Sequence, residues 1–342
     1  MVISEAIARE IRRRDFRPHP LFVSGHAQTI AGYVWPRRRA LRALRADSER
    51  LFEVEPGVKL LAHCRWQDKR RAHPTILLAH GLEGSSDSVY MLGTAAKAFN
   101  AGFNVVRLNH RNCGGTEHLT ETLYHSGMSG DLRAVLHELI AEDGLDRIFV
   151  AGFSMSGNMA LKLAGEYGER APVELKGVCA VSPSVDLSAS ADAMELSSNR
   201  LYQRNFLSSL RRRMRRKQRL YPELYDLTDL RGMRTIRDFD DRYTAKHGGF
   251  QSAADYYARS SALPLFGMIH VPTLIIHAQD DPFIPFEPLR SSAARENPYI
   301  ILLGPEHGGH VGFVGAETEG EDRFWAENRV VQFCLLMVQS SD

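Results

Sequence analysis

Short, mostly apolar runs rich in Val, Ile and Leu, bounded by Gly, Pro or Asn, recur at residues 75–79, 103–108, 147–151, 177–181, 273–277 and 299–303. A strand that is apolar along its length, rather than at every second position, is covered on both faces. The six runs therefore predict buried parallel strands. Between them the apolar positions change to helical spacing, most clearly at Leu132, Val135, Leu136, Leu139 and Ile140, which form one stripe on a helix following Asp131. Strand and helix alternate, which predicts an α/β doubly wound sheet that receives its ligands at the carboxyl ends of the strands. Upstream, residues 51–55 and 58–64 flank a Pro56-Gly57 turn and predict an antiparallel hairpin leading into that sheet, for eight strands in all. The rhythm stops between residues 186 and 265, where no strand-like run occurs and Arg, Asp, Ser and Tyr accumulate. A helical cap inserted into the core fits this break. The expected organisation is an N-terminal extension (1–50), a first core segment (51–185), the cap (186–265) and a second core segment (266–342).

Composition narrows the function classes. The 342 residues carry 43 Lys+Arg against 41 Asp+Glu, a formal net charge of +2, with 44% hydrophobic residues, so a disordered or fibrous chain is excluded. No whole-chain field argues for nucleic acid, and no nucleic-acid module motif is present. Basic residues do cluster locally, at 37–45 and 211–219. Cys64, Cys113, Cys179 and Cys334 are widely spaced without a CxxC pair, as expected in a reducing compartment. Charges interrupt the first residues and the longest apolar runs fall far short of the ~20 needed to span a membrane, so a cytoplasmic location is expected.

The candidate chemistry lies at strand ends. GFSMSGN at 152–158 ends an apolar run and opens a helical one, the setting of a nucleophile elbow, in which a sharp turn exposes the Ser154 hydroxyl. The usual pattern is GxSxG, and Ser156 stands at its last position. A hydroxyl is a weak nucleophile and needs a base oriented by a carboxylate, which in this architecture follow in the order Ser, acid, His. The run at 273–277 leads into AQDDPFIP, where Asp281 is the favoured acid and Asp280 a local capping residue. The run at 299–303 leads into GPEHGGHVGF, where His310, beside Gly309, is the favoured base and His307 the alternative. A His307/His310 metal pair lacks a third ligand nearby. Two backbone N–H groups must receive the oxyanion: that of Met155, after the nucleophile, and that of Leu82, in the HGLEGSS loop at 80–86.

With these motifs placed, the chain resembles the α/β-hydrolase superfamily, and more narrowly its YheT-like branch, with plant embryogenesis-associated and animal phospholipase-like relatives. The supporting segments are GHAQTI (25–30), HGLEGSS (80–86), NHRNCGGT (109–116), LYHSG (123–127), GFSMSGN (152–158), DYY (255–257), DDP (280–282) and GGHVGF (308–313). The resemblance implies an α/β-hydrolase fold, a Ser154, Asp281, His310 triad, and cofactor-free hydrolysis of carboxylic esters, some relatives acting on acylglycerols or phospholipids. Ser156 and Asn112 depart from it, since relatives usually carry glycine at both positions. The competing reading is a catalytically idle fold that binds a ligand or protein.

Two readings of the cap stay open. Phe206, Leu207, Leu210 and Met214 form an apolar stripe, while Arg211 to Arg213, Arg215, Arg216 and Lys217 fill the other faces. Such a helix either packs its stripe on the core or makes transient contact with an anionic membrane, which would bring the protein to the inner membrane face. Arg37 to Arg45 reads as an exposed helix. His26 and Gln28 receive no catalytic role, and no pattern sets the oligomeric state.

Overall fold

A computed structural model describes residues 2–37 and 48–340. Its eight strands are β1 (Ser48–Glu55), β2 (Val58–Arg65), β3 (Thr75–Ala79), β4 (Asn104–Leu108), β5 (Ile148–Phe153), β6 (Leu175–Val181), β7 (Thr273–Ile276) and β8 (Ile300–Leu303). They form one sheet in the order β1-β2-β4-β3-β5-β6-β7-β8. The β1/β2 and β2/β4 pairs are antiparallel and all others parallel. The longer helices are α1 (Glu5–Arg12), α2 (Gly25–Val34), α3 (Val89–Asn100), α4 (Ser129–Ala141), α5 (Met155–Tyr167), α6 (Leu187–Glu195), α7 (Arg200–Leu220), α8 (Ala253–Ser260) and α9 (Trp325–Gln339).

The apolar runs are covered on both faces, and each face has its own core. Leu77, Val106 and Val150 pack with Leu132 to Leu139 of α4 and Met159 to Ala164 of α5. Their neighbours Ile76, Val105 and Phe149 face the other way, onto α3, α9, and Ile7 and Ile11 of α1. The period-two alternation of the pleat thus assigns successive residues to opposite layers. From β3 the chain goes to β4 on one side, and β5 lies on the other. That reversal opens a crevice at the carboxyl ends of β3 and β5. Arg111, just past β4, is almost fully buried and forks onto Asp131 of α4, with Glu55 and Thr122 as further acceptors. This pins the hairpin and the β4 loop to α4.

Residues 186–265 contain helices and no named strand. Leu207, Leu210 and Met214 of α7 are buried with Phe239 and Tyr243, and Phe206 packs beside Phe283. The apolar stripe is therefore spent on packing. Two cations assigned to the polar faces are also buried. Arg213 pairs with Glu83 above the Tyr124 ring, and Lys217 donates to the Glu117 and Thr120 carbonyls. Of the expected exposed helix at 37–45, residues 38–45 lie outside the described residues, and Arg37 itself sits in a turn with its guanidinium on Glu327, mostly buried. The N-terminal segment joins the body instead of extending from it: Pro18 bridges Gly315, and Gln28 exchanges hydrogen bonds with Val314. All four cysteines are free and buried. Among the described residues no helix is long and apolar enough to cross a membrane.

Candidate active site

Ser154 sits between β5 and α5 with φ +55° and ψ −118°, a strained conformation for a residue with a Cβ. The turn is tight: a Cβ at Gly152 would lie 2.0 Å from the Ser156 carbonyl oxygen, and one at Gly157 2.9 Å from Pro183. Only glycine fits these two positions. The elbow puts Ser154 Oγ 2.9 Å from His310 Nε2, and His310 Nδ1 lies 2.8 Å from Asp281 Oδ2. Asp281 Oδ1 accepts from the Phe283 and Ile284 amides at 2.8 and 3.0 Å, so both carboxylate oxygens are occupied. Burial opposes its charged form, but the neighbouring His310 outweighs burial with help from His277 and the Phe283 amide, and the carboxyl lies below its ordinary range.

The structure separates the paired candidates. Asp280 Oδ1 accepts from Gly309 N at 2.9 Å and its Oδ2 faces His307 Nδ1 at 3.4 Å, so both residues brace the loop that carries His310. That loop is itself strained, with positive φ at Val311 (57°) and Phe313 (42°). Ser182 Oγ accepts from Val311 N at 3.1 Å, and Thr29 Oγ1 accepts from His310 N at 2.9 Å. Thr29 rides on α2, whose first residue touches both loops: a Cβ on Gly25 would meet Asp280 O at 1.8 Å, and one on Gly309 would meet Gly25 O at 2.2 Å. Sequence reasoning missed Thr29. The GHAQTI segment was its only signal, and nothing local says what such a segment touches.

In the HGLEGSS loop, Gly81 N donates to Tyr90 Oη at 3.0 Å, Glu83 N to Tyr124 Oη at 2.9 Å and Gly84 N to Gly81 O at 3.0 Å. Among the described residues, the Leu82 and Met155 amides have no acceptor in the protein. Gly81 lies against the nucleophile, its virtual Cβ 3.0 Å from Ser154 Cβ. Two free donors thus flank the serine, the arrangement an oxyanion requires.

Both departures from the resemblance have structural explanations. Asn112 takes φ +65°, which asparagine tolerates, and its Nδ2 donates to Thr122 O at 2.8 Å. Ser156 is fully buried, its hydroxyl donating to His80 O and lying 2.5 Å from His110 Nε2. Sequence reasoning did not foresee this pair of histidines behind the elbow.

A cavity of about 120 Å³ opens onto Ser154 and His310, walled by Leu82, Met155, Met194, Leu210, Phe239 and Phe283, with Arg213 and Asp240 among its polar neighbours. Among the described residues no three His, Cys, Asp or Glu side chains cluster to hold a metal ion.

The family model described as the alpha/beta hydrolase fold matches residues 74–316. YheT of Escherichia coli, an esterase by name, is 36% identical over 75% of this chain and 75% of its own. The human phospholipase ABHD3 is 28% identical over 70% of this chain and 59% of its own, and a monoacylglycerol lipase of Saccharomyces cerevisiae is 27% identical over 71% and 55%. Among solved structures, the Pyrococcus furiosus esterase Pf2001 superposes with a TM-score of 0.56 at 18% identity, covering 88% of this chain and 96% of that one. With this sheet, this elbow and these relatives, the chain belongs to the alpha/beta hydrolase fold family.

Proposed function

We propose that the protein is a serine hydrolase that cleaves carboxylic esters through an acyl-enzyme on Ser154, its substrates being short- to medium-chain acyl esters or acylglycerol- and phospholipid-like lipids. The observation that carries this reading is the continuous chain of hydrogen-bond contacts from Asp281 through His310 to an elbow serine. Ser154 Oγ attacks the acyl carbon as its proton passes to His310 Nε2. The carbonyl electron pair moves onto oxygen, where the Leu82 and Met155 amides receive it. Asp281 holds the proton on Nδ1 and stabilises the imidazolium. The tetrahedral intermediate collapses, the bond to the alcohol oxygen breaks, and His310 returns the proton to that oxygen. Water, deprotonated by the same histidine, then releases the acid. The mechanism as written needs no cofactor.

The apolar cavity wall supports an acyl chain as the part it holds, and the names of the relatives, esterase, phospholipase and monoacylglycerol lipase, support an ester bond as the target. Release of p-nitrophenol from esters of graded chain length, compared between wild type and Ser154→Ala, tests the reading. Turnover lost in the variant, together with fluorophosphonate labelling of wild type alone, supports it. An inert, unlabelled wild type refutes it in favour of a binding module.

A further inference from the structure

The carboxyl ends of β4, β3 and β5 lie side by side in the sheet, and each is followed, two, one and three residues on, by a buried polar side chain: His110, His80 and Ser156. The contacts among them assign every proton. His110 N, a backbone donor, points at His80 Nε2 at 3.2 Å, so Nε2 is bare and His80 carries its proton on Nδ1. That N–H donates to Gly81 O at 2.7 Å. His110 Nε2 faces His80 O at 3.0 Å, which can only accept, and so must carry the proton. Its Nδ1 has no partner, so a second proton there would be a buried orphan donor. Burial pushes His110 down to about 4 and His80 well below its ordinary range, consistent with two neutral rings.

The consequence falls on a single peptide plane. Gly81 O accepts from both His80 Nδ1 and Gly84 N, which fixes its direction. In a trans peptide the C=O and the following N–H are antiparallel, so holding Gly81 O in one direction also holds the Leu82 N–H, on the residue next to the one packed against Ser154. We infer that Ser156, His110 and His80 form a positioning relay that orients the Leu82 amide as an oxyanion donor, and that Ser156 is a working member of the relay, tying the nucleophile's helix to the His80 carbonyl. The inference rests on the serine-hydrolase reading. None of the three residues touches substrate.

The test compares Ser156→Ala, His110→Phe and His110→Gln. Phe keeps the ring that stacks on Tyr124, and Gln keeps an amide donor near the position of Nε2. Outright loss of an oxyanion donor costs about 10²- to 10³-fold in kcat, so misorientation is expected to cost about tenfold or more. Ser156→Ala and His110→Phe should lower kcat on a p-nitrophenyl ester by about tenfold with KM within about twofold. His110→Gln should recover to within about threefold of wild type. Binding of a trifluoromethyl ketone, whose adduct presents an oxyanion, should weaken by the same factor as kcat/KM, a parallel that a purely structural role would not produce. Melting temperatures identify any variant that fails to fold, and the Phe/Gln comparison carries the test if Ser156→Ala does. Folded variants with wild-type kcat, or a loss of kcat without weaker ketone binding, overturn the relay while fluorophosphonate labelling of wild type keeps the hydrolase reading intact. A wild type that neither turns over nor labels brings both down.

Discussion

Replacing Asp281 by asparagine should abolish most activity for a reason that can be followed atom by atom. Oδ1 accepts two backbone N–H groups, from Phe283 and Ile284, so the amide oxygen of the introduced asparagine must take that side. The amide NH₂ is then left facing His310 Nδ1, where Oδ2 now lies at 2.8 Å. A donor opposite Nδ1 requires a bare Nδ1, which moves the ring's proton to Nε2. Nε2 is the atom facing Ser154 Oγ, and once protonated it cannot accept the serine's proton. Inverting the tautomer in a triad of this geometry lowers kcat by about 10⁴-fold, about 5 kcal/mol on the barrier. Asp280→Asn keeps an oxygen for the Gly309 amide and loses only the long contact to His307, so a drop below tenfold is expected. Steady-state hydrolysis of a p-nitrophenyl ester measures both, and the rate of fluorophosphonate labelling gives an independent reading of serine activation. If folded Asp281→Asn keeps more than a tenth of wild-type kcat, or if Asp280→Asn is the more damaging change, the assignment of the acid is wrong.

Other consequences follow from the same geometry. Gly81→Ala would place a Cβ 3.0 Å from Ser154 Cβ and 3.6 Å from its Oγ, so kcat should fall at least tenfold while the melting temperature moves little; unchanged kinetics would mean that the loop does not approach the nucleophile. Asp131→Ala removes the two-pronged partner of the buried Arg111 guanidinium, leaving it Glu55 and Thr122, and should cost about 3 kcal/mol by denaturant titration, the low end for a broken buried pair; a loss below about 1 kcal/mol would refute the expectation. Burial, with Arg111, Arg259 and Lys162 adding to it, pushes His125 down to about 4. The unfolded chain therefore binds a proton that the folded one does not, and this residue's contribution to stability is present above its ordinary 6.5 and lost as pH falls from there to about 4. His125→Asn, which keeps an acceptor for Gly127 N, should flatten the fall of unfolding free energy across that window by up to about 1.4 kcal/mol per pH unit; an identical slope in the variant would show that His125 is charged in the folded state.

What the sequence made legible, and what it did not, divides along physical lines. All eight strands stand within a few residues of the runs that marked them: β3 to β8 because burial on two faces leaves a one-dimensional signature, β1 and β2, only partly covered, because the turn between them does. Ser154 was legible for the same reason, since an elbow needs a strand before it, a helix after it and small neighbours, all contiguous in the chain. For Asp281 over Asp280 the geometry supplies the cause: Asp281 is the acid whose far oxygen is held by two amides, leaving the near one for the imidazole. The cap was harder. Arg213 and Lys217 read as surface charge because helical position cannot show that Glu83, 130 residues away in the chain, and the Glu117 and Thr120 carbonyls, 100 and 97 residues away, would line up to satisfy them. Ser156 shows the same limit at the site itself. Read along the chain it is a serine where glycine is usual, a small steric penalty; read across the sheet it meets two histidines delivered by the neighbouring strands, and its hydroxyl fills a position that glycine would leave without a donor. Substitutions of this kind are intelligible only when strand order is known, since β4, β3 and β5 adjoin in the sheet while the three side chains are separated by 30 and 46 residues in the chain.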